Sequence, residues 1–364
     1  MDEIFLNGQL FKEIYDNVKP YYVLTDEKGY INFTKLETGL NEKNFSSDDI
    51  ESIIDSGMEF CDSKNIFYLM KYNLNVQFYR IAEIPDNATI IIDEKNKIYL
   101  TDKVILSEPK NISDIPAFKN NDFCIETVKK YPKFIKFMKG RSIKVYEEAL
   151  KKNPYVLEFI DEKDQTEELC LIAVKLDSHC FQYAKKQNLL LCQIAINDYC
   201  FNINYINEKV LSQKDILDLW KIAINKDGYL ISYTKQIPEL IEYAIKIDPL
   251  NLKHIKNPSE KQCLDAIKKN PSCIKHIKNL TKEMCLLAVS LDGSVFKYMT
   301  GELDYDILLT AINNNHLAVN YLTLTEMDKD LCKVLCMVNP KCKKYILDEN
   351  IKRECKELLN SLLS

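Results

Sequence analysis

The chain has 364 residues, of which 46% are hydrophobic and 28% are charged, and its formal net charge is −5. This length predicts about two domains, and the weak negative charge excludes a general attraction to nucleic acid or to anionic membranes. No apolar run approaches the ~20 residues that span a bilayer, and the acidic start, MDEIFLNGQLFKEIYD, is not typical of a signal peptide. We therefore expect a soluble intracellular protein without membrane contacts.

Residues 1–112 alternate between strand-like and helical segments, which predicts a compact α+β domain. Turn-forming residues at 26–29 and 85–87 separate these segments. The expected strands are 21–25, 90–95 and 97–106, and the expected helices are 11–18 and 48–57.

This region contains the short motifs Gly39-Leu40-Asn41, Gly57-Met58-Glu59-Phe60-Cys61, Ile66-Phe67, Ile84-Pro85-Asp86-Asn87-Ala88 and the run 99–106. They resemble the amino-terminal domain that precedes ankyrin repeats in many giant-virus proteins. In that family the second motif usually opens with two glycines, and here Ser56 replaces the first of them. The departure argues against a tight phosphate-binding loop at this point.

After a proline-containing linker at 113–120, one pattern is repeated ten times between residues 121 and 347. Each copy is centred on a small residue, here called position 0, and the intervals are 22, 24, 22, 28, 21, 22, 22, 23 and 24 residues. A fixed period in this range is typical of repeat architectures. In repeats 1 to 10, position 0 is Thr127, Ala149, Ala173, Ala195, Ala223, Ala244, Ala266, Ala288, Ala311 and Leu335.

Each repeat predicts two helices. Positions −4, −3, 0 and +1 are apolar in nearly every copy, which is one stripe of an α-helix about three turns long. Asn or Asp stands at +4 in eight copies and Pro at +5 in five, which predicts the N-cap and first residue of a new helix. The eight expected caps are Asn153, Asp177, Asp227, Asp248, Asn270, Asp292, Asn315 and Asn339.

The second helix is short, with apolar positions at +7, +8, +10 and +11. Position +10 is aromatic or histidine in all ten repeats, and we expect these rings to pack in the core rather than to act as base-stacking platforms. His254 and His276 belong to this column and are expected to be rings of the stack, not ligands. The column is Phe137, Phe159, Tyr183, Tyr205, Tyr233, His254, His276, Tyr298, Tyr321 and Tyr345.

Neither helix can bury its apolar side alone, so neighbouring repeats must supply the core. The predicted fold is an α+β amino-terminal domain followed by an all-α, right-handed-type solenoid of about ten two-helix repeats. The pattern of residues 348–364 predicts an amphipathic helix that caps the last repeat.

The repeat signature is L/M-C-x-x-A-V/I, then N/D-P/G, then F/I-x-Y/H. It resembles an uncharacterised helical-repeat domain of giant DNA viruses of amoebae. That resemblance implies a fold but no chemistry, and it implies a host-cell cytoplasm or virion location.

The thirteen cysteines mostly follow the same periodicity. Used this way, cysteine is a small buried hydrophobe, and in a reducing compartment it needs no pairing. No CxxC and no zinc-finger spacing occurs, so we expect no metal site. Position −3 holds Cys124, Cys170, Cys192, Cys263, Cys285 and Cys332, and position +7 holds Cys180, Cys273 and Cys342.

Two lysine columns, at +2 and +9, are the candidate partner surface. If the repeats stack in register, the lysines of each column form a row along one surface, which we call a lysine ladder. Such a row is either a solvated face or part of a groove that binds an acidic partner or RNA. The same few residue types, Lys, Asn and Ser, recur at these positions, which argues against sequence-specific recognition of RNA bases. The candidate residues are Lys129, Lys246 and Lys268 at +2, and Lys136, Lys253, Lys275, Lys297 and Lys344 at +9.

Catalytic motifs are missing from the sequence: it has no Walker loop, GxGxxG, HExxH or GxSxG, and it contains four histidines and eight glycines. We therefore expect no catalytic or cofactor-binding residues and no cofactor. Glu59, within the motif at 57–61, is the carboxylate of the first domain that is considered as a catalytic candidate.

Three functions remain open. The favoured one is a non-enzymatic scaffold or adaptor that binds a protein partner, because giant-virus proteins join one such amino-terminal domain to different repeats. A nucleic-acid-binding protein that uses the lysine ladders is the second. A nucleotide- or ADP-ribosyl-transferase in the first domain, with a deep pocket near Glu59, is the third.

Overall fold

The computed structural model describes residues 4–31, 34–43, 53, 56–72, 76–95, 97–299, 304–322 and 327–363. It divides into two compact units, Met1–Leu191 and Cys192–Ser364. An antiparallel sheet region at 4–111 is followed by a series of short helices, which is the predicted fold class. The predicted helix at 48–57 lies largely outside the described residues.

The sheet consists of antiparallel pairs. Strands β1, β8, β9, β6, β2, β7, β10 and β5 follow each other across it in that order, and β11 also pairs with β7. β3 and β4 form a separate hairpin. The bounds are β1 Ile4–Asn7, β2 Tyr21–Thr25, β3 Tyr30–Ile31, β4 Thr34–Lys35, β5 Gly39–Glu42, β6 Met58–Asp62, β7 Phe78–Glu83, β8 Thr89–Asp93, β9 Ile98–Thr101, β10 Lys103–Leu106 and β11 Lys110–Asn111.

Helix α1, Gly8–Tyr15, packs on this sheet through Phe11, which is fully buried. The Phe11 ring lies 5.7 Å from Phe60 and 5.0 Å from Tyr99, centroid to centroid, in edge-on arrangements that aromatic pairs prefer. A second helix, α2, Ile66–Tyr72, follows β6. The predicted strand at 97–106 is in fact two strands, β9 and β10, which turn at Asp102.

The segment that the sequence marks as a linker is folded. It forms two short 3₁₀ turns, Ile112–Asp114 and Pro116–Lys119. Ile115 and Phe118 within it are buried, so this segment contributes to the core. The boundary between domains remains a prediction.

In the described residues, ten α-helices are each followed by a six-residue 3₁₀ helix. A 3₁₀ helix closes i→i+3 hydrogen bonds and is therefore tighter than an α-helix, and proteins use it in short segments. The pairs are α3 Asn121–Lys130 with Pro132–Phe137, α4 Ile143–Lys152 with Pro154–Phe159, α5 Glu167–Leu176 with Ser178–Tyr183, α6 Leu189–Asp198 with Cys200–Tyr205, α7 Gln213–Lys226 with Gly228–Tyr233, α8 Pro238–Ile247 with Pro249–His254, α9 Glu260–Lys269 with Pro271–His276, α10 Lys282–Leu291 with Gly293–Tyr298, α11 Tyr305–Asn314 with His316–Tyr321, and α12 Lys329–Val338 with Pro340–Tyr345.

All eight predicted Asx caps are confirmed. In repeat 7, the Asn270 side-chain oxygen accepts a hydrogen bond from the Ser272 N–H at 3.0 Å. The Asn270 N–H donates to the Ala266 carbonyl at 2.9 Å, so one residue ends the α-helix and begins the 3₁₀ helix. The same pattern holds at Asn153, Asp177, Asp227, Asp248, Asp292, Asn315 and Asn339.

Successive repeats pack on each other within each unit, α3 on α4 and α4 on α5 in the first, and α7 through α12 in the second. The alanines at position 0 are fully buried, which lets neighbouring helices approach closely. The last helix, α13, Glu349–Leu363, packs on α12, where the buried Cys355 meets Cys332 and Cys336 in one apolar cluster.

Candidate interaction surface

The 3₁₀ helices decide which residues of each repeat face outward. With three residues per turn, +6 and +9 lie on one side and +8 and +11 on another. In repeat 7, Cys273 at +7 and Ile274 at +8 are buried, whereas Lys275 at +9 is exposed. The +9 column is therefore a surface column.

The prediction that the +10 rings are core is wrong for much of the chain. Tyr205, Tyr233 and Tyr321 are 49%, 50% and 46% exposed, whereas Phe137 is buried. Position +10 is the last residue of each 3₁₀ helix, one turn beyond the buried +7, so its ring lies at the edge of the repeat. Partly buried rings occupy the remaining repeats: Phe159, Tyr183, His254, His276, Tyr298 and Tyr345.

Lysines at +9 lie against these rings. The Lys297 Nζ is 4.9 Å from the Tyr298 ring centroid, and the Lys275 Nζ of the preceding repeat is 5.9 Å from the same ring. The Lys344 Nζ is 4.7 Å from Tyr345, and in the first unit the Lys136 Nζ is 4.5 Å from Phe137. Such cation–π contacts hold each ammonium group at the surface over an aromatic ring.

No ion pair involves Lys253, Lys275, Lys297 or Lys344 in the described part of the chain. These four side chains are exposed. The side of the second unit that its 3₁₀ helices form, here called the 3₁₀ side, therefore carries four lysines whose charge no ion pair among the described residues neutralises.

The +2 lysines lie on the α-helices, where carboxylates one turn earlier meet several of them. Lys129 pairs with Glu126 at 3.0 Å, and Lys268 approaches Asp265 at 3.9 Å. Lys246 makes no ion pair among the described residues, but it lines a groove of about 390 Å³ that also contains Asp265 and Glu242. The charge of this side is thus mixed.

The structure brings together only some of the candidate lysines. Lys129 and Lys136 belong to the first unit. The six others, Lys246, Lys253, Lys268, Lys275, Lys297 and Lys344, belong to the second.

A groove of about 550 Å³ lies where the 3₁₀ helices of repeats 6 and 7 end, and the connecting loops and the first turns of the following α-helices also line it. Lys253, Lys256 and Lys278 line it, together with His254 and His276. Glu260 is the acidic residue in its lining. The groove is therefore predominantly basic.

The two histidines of the groove have lowered pKa values, mainly because they are partly buried. Burial lowers the pKa of His276 below 6.5, and Lys275, Lys253 and His254 lower it further. Burial, and then Lys253, also lowers the pKa of His254, which Asp227 partly opposes. Both rings are therefore mainly neutral near pH 7 inside a positive environment.

Lys256 and Lys278 are not among the lysines that the helical pattern predicts for the surface. They follow the 3₁₀ helices at +12 and enter the groove from the connecting loops. A signal was present, because His-Ile-Lys-Asn occurs at 254–257 and again at 276–279. Repetition of a connecting-loop residue at the repeat period should have added both lysines to the candidate surface.

In the first domain, Glu59 does not sit on a loop. It lies in β6, where it pairs with Leu100 of β9, and its neighbours Phe60 and Cys61 are buried. At the end of this strand, the Asp62 Oδ1 accepts hydrogen bonds from the backbone N–H groups of Lys64 and Asn65, which fixes the turn into α2. The motif at 57–61 is a strand of the sheet.

The cysteines are buried as predicted. All thirteen are free, and twelve are buried, with Cys200 partly exposed. Burial raises the pKa of Cys273 to about 11, so this thiol stays protonated at neutral pH.

Among the described residues, no group of three or more histidine, cysteine or acidic side chains could hold a metal ion. Within the same ranges, no helix combines the length and the apolar character needed to cross a membrane.

Comparison with known protein families finds a match within the repeats. Residues 143–189 are similar to a family described as a domain of unknown function, DUF4116. This segment contains two successive repeats, from the start of α4 to the start of α6, so the similarity covers two repeats and assigns no chemistry. No curated protein and no solved structure matches the chain.

Proposed function

We propose that this protein is a non-enzymatic interaction scaffold whose second unit binds a protein partner through its 3₁₀ side. One observation carries the proposal: exposed lysines and half-exposed rings share this side, and the described residues leave four of those lysines without an ion pair. Surfaces used only for solubility usually mix both charges, as the α-helical side does here.

The first domain and the repeats then have separate roles. The repeats present a surface to the partner, and the sheet region provides a second contact. The resemblance to giant-virus proteins supports the further proposal that the partner is a host or viral protein in the cytoplasm of an infected cell.

The test is affinity purification with the full chain from amoebae infected with a giant virus. One variant reverses charge on the 3₁₀ side, Lys253→Glu/Lys275→Glu/Lys297→Glu. The matched control reverses three exposed lysines on the α-helical side of repeats 6 and 7, Lys246→Glu/Lys268→Glu/Lys269→Glu. Circular dichroism and melting temperature establish that both variants fold.

We expect a stoichiometric protein partner with the unchanged chain and the control, and its loss with the 3₁₀-side variant. Recovery of no stoichiometric partner, or retention by the 3₁₀-side variant, contradicts the proposal. Material that disappears on nuclease treatment supports the second candidate function instead.

Nucleic-acid binding is that second candidate, and the half-exposed Tyr205, Tyr233 and Tyr321 favour it, because exposed rings can stack with bases. The transferase hypothesis has less support. It needs a loop and a pocket at Glu59, and that residue lies in a paired strand.

A further inference from the structure

The groove between repeats 6 and 7 is built from elements 22 residues apart in the chain. His254 and His276 end the two 3₁₀ helices, and Lys256 and Lys278 follow them in the connecting loops. The 3₁₀ helices of these repeats contact each other, so the groove is fixed by repeat packing. Its volume of about 550 Å³ accommodates several side chains of a ligand.

The charges of the groove favour an anionic ligand. Lys253, Lys256 and Lys278 line it without forming an ion pair in the part of the chain that the structure describes. Burial is the main cause of the lowered pKa of His276, and Lys275, Lys253 and His254 lower it further. An anionic group entering the groove would be attracted by its lysines and would reduce their mutual repulsion.

The rings beside the groove discriminate between classes of anionic ligand. The Tyr298 ring, on the next repeat, is approached by both the Lys275 Nζ at 5.9 Å and the Lys297 Nζ at 4.9 Å. The Tyr229 ring meets His254 edge-on, with centroids 5.2 Å apart. A base needs a free ring face for stacking, whereas a carboxylate needs the ammonium groups that lie beside these rings.

The spacing of the repeats also suits an extended peptide. Neighbouring packed helices are about 8–10 Å apart. Three residues of an extended chain advance about 10 Å, at roughly 3.3 Å per residue. An extended acidic segment can therefore present one carboxylate to Lys253, the next to Lys275 and a third to Lys297.

We infer that the groove between repeats 6 and 7, with Lys275 and Lys297 beside it, binds an extended peptide segment rich in aspartate and glutamate. Lys253, Lys256 and Lys278 hold the carboxylates within the groove, and Lys275 and Lys297 continue the contact along the 3₁₀ side. This inference rests on the proposed function and names the chemistry of the partner.

The test uses the full chain and a fluorescein-labelled dodecapeptide, (Ser-Glu-Asp)₄, with anisotropy as the readout. A neutral peptide, (Ser-Gln-Asn)₄, controls for peptide backbone binding, and single-stranded dT₁₂ supplies comparable charge on a nucleic acid. The variants are Lys253→Gln/Lys275→Gln on the 3₁₀ side and Lys246→Gln/Lys268→Gln on the α-helical side of the same repeats. Both remove two positive charges.

We expect saturable binding of the acidic peptide, none of the neutral one, and weaker binding of dT₁₂. The 3₁₀-side variant should weaken acidic-peptide binding by about tenfold or more and the control by less than about twofold, since close uncompensated charges dominate such contacts. Binding should also fall as salt increases. Unchanged melting temperatures establish that the variants are folded.

Three results overturn the inference. They are no saturable binding of the acidic peptide at low salt, tighter binding of dT₁₂ than of the peptide, and equal weakening by the two variants. If a stoichiometric partner still depends on the 3₁₀-side lysines in the purification while the acidic peptide does not bind, the scaffold stands and its ligand has another chemistry. If no partner is recovered but the peptide binds as described, the groove stands and the scaffold role fails.

Discussion

The α-helices and the 3₁₀ helices of these repeats use lysine in opposite ways. On the α-helices, Lys151 pairs with Glu148 at 2.7 Å, and this contact raises the lysine pKa and lowers that of the carboxyl. On the 3₁₀ helices, Lys297 lies over Tyr298 and has no carboxylate partner among the described residues. The ion pair on the α-helix neutralises the charge of its lysine. The contact with a ring on the 3₁₀ helix leaves the lysine charge available to a ligand.

The same two helices differ in what they bury. The α-helix buries a broad stripe at −4, −3, 0 and +1, whereas the 3₁₀ helix buries +7 and +8 and places +10 at its edge. Four experiments test this division, beginning with the side of the 3₁₀ helix that belongs to the core.

The largest effect is expected within the 3₁₀ helix of repeat 5. Ile231 at +8 is 0% exposed, and Tyr233 at +10 is 50% exposed. Ile231→Ala should lower the free energy of unfolding by about 2–5 kcal/mol, because it leaves a cavity in the core. Tyr233→Ala should cost less than about 1 kcal/mol, because half of this residue already meets water. Urea denaturation measures both, and equal losses would place the ring back in the core.

The contact between a 3₁₀ helix and the following α-helix is tested at Gly293. A Cβ at this position would overlap the Ala311 carbonyl oxygen and lie 2.9 Å from the Asn315 nitrogen, both in the next repeat. Gly293→Ala should therefore destabilise the protein by about 1–3 kcal/mol through overpacking. The adjacent Ser294→Ala is the control, since that side chain is only partly buried. Equal melting temperatures for the two variants would show that the repeats can move apart without cost.

The junction between the two helices is tested at Asn270. Its side-chain oxygen caps the 3₁₀ helix, so Asn270→Ala should cost about 1 kcal/mol. Asn270→Asp keeps the acceptor and should retain most of the stability. Chemical denaturation that fails to separate alanine from aspartate would contradict the capping role.

The smallest effect concerns pH and the positive 3₁₀ side. The pKa values of His254 and His276 lie below their unfolded values, so the unfolded chain takes up protons first as pH falls. The stability due to these neutral rings is present above about pH 6.5 and is lost below it, toward their folded pKa values. The charged or titratable groups that face them are Lys253, Lys275, Lys256, Lys278, Asp227, Tyr229 and Glu260.

Melting curves at pH 7.5 and 5.5 measure this effect. Because both rings are partly exposed, the part of the decrease due to them should be roughly 1 °C, and His254→Gln/His276→Gln should remove it. Carboxylates with lowered pKa values, such as Glu148, titrate below this window and do not contribute. A larger decrease in the double variant than in the unchanged chain would contradict the lowered pKa values of the two rings.

Much of the candidate surface could be read from the sequence, and part of it could not. The +9 lysines were found because they recur at the repeat period, and the structure places Lys253, Lys275, Lys297 and Lys344 at the surface. Whether these lysines form ion pairs could not be predicted from the sequence, because the nearby carboxylates belong to other helical turns and other repeats. Lys256 and Lys278 were missed because they lie on connecting loops, outside the helical pattern.

The sequence by itself determined the repeat length, the helix junctions and the buried columns. These depend on interactions between residues a few positions apart: the Asx cap at +4, the apolar stripe around position 0 and the small residues within it. Tertiary structure alone decided that the second helix is 3₁₀, that its +10 ring lies at an edge, and that Lys253, His276 and Lys278 line one groove. Those outcomes depend on how one repeat packs on the next, and the spacing within a single repeat carries no information about that packing.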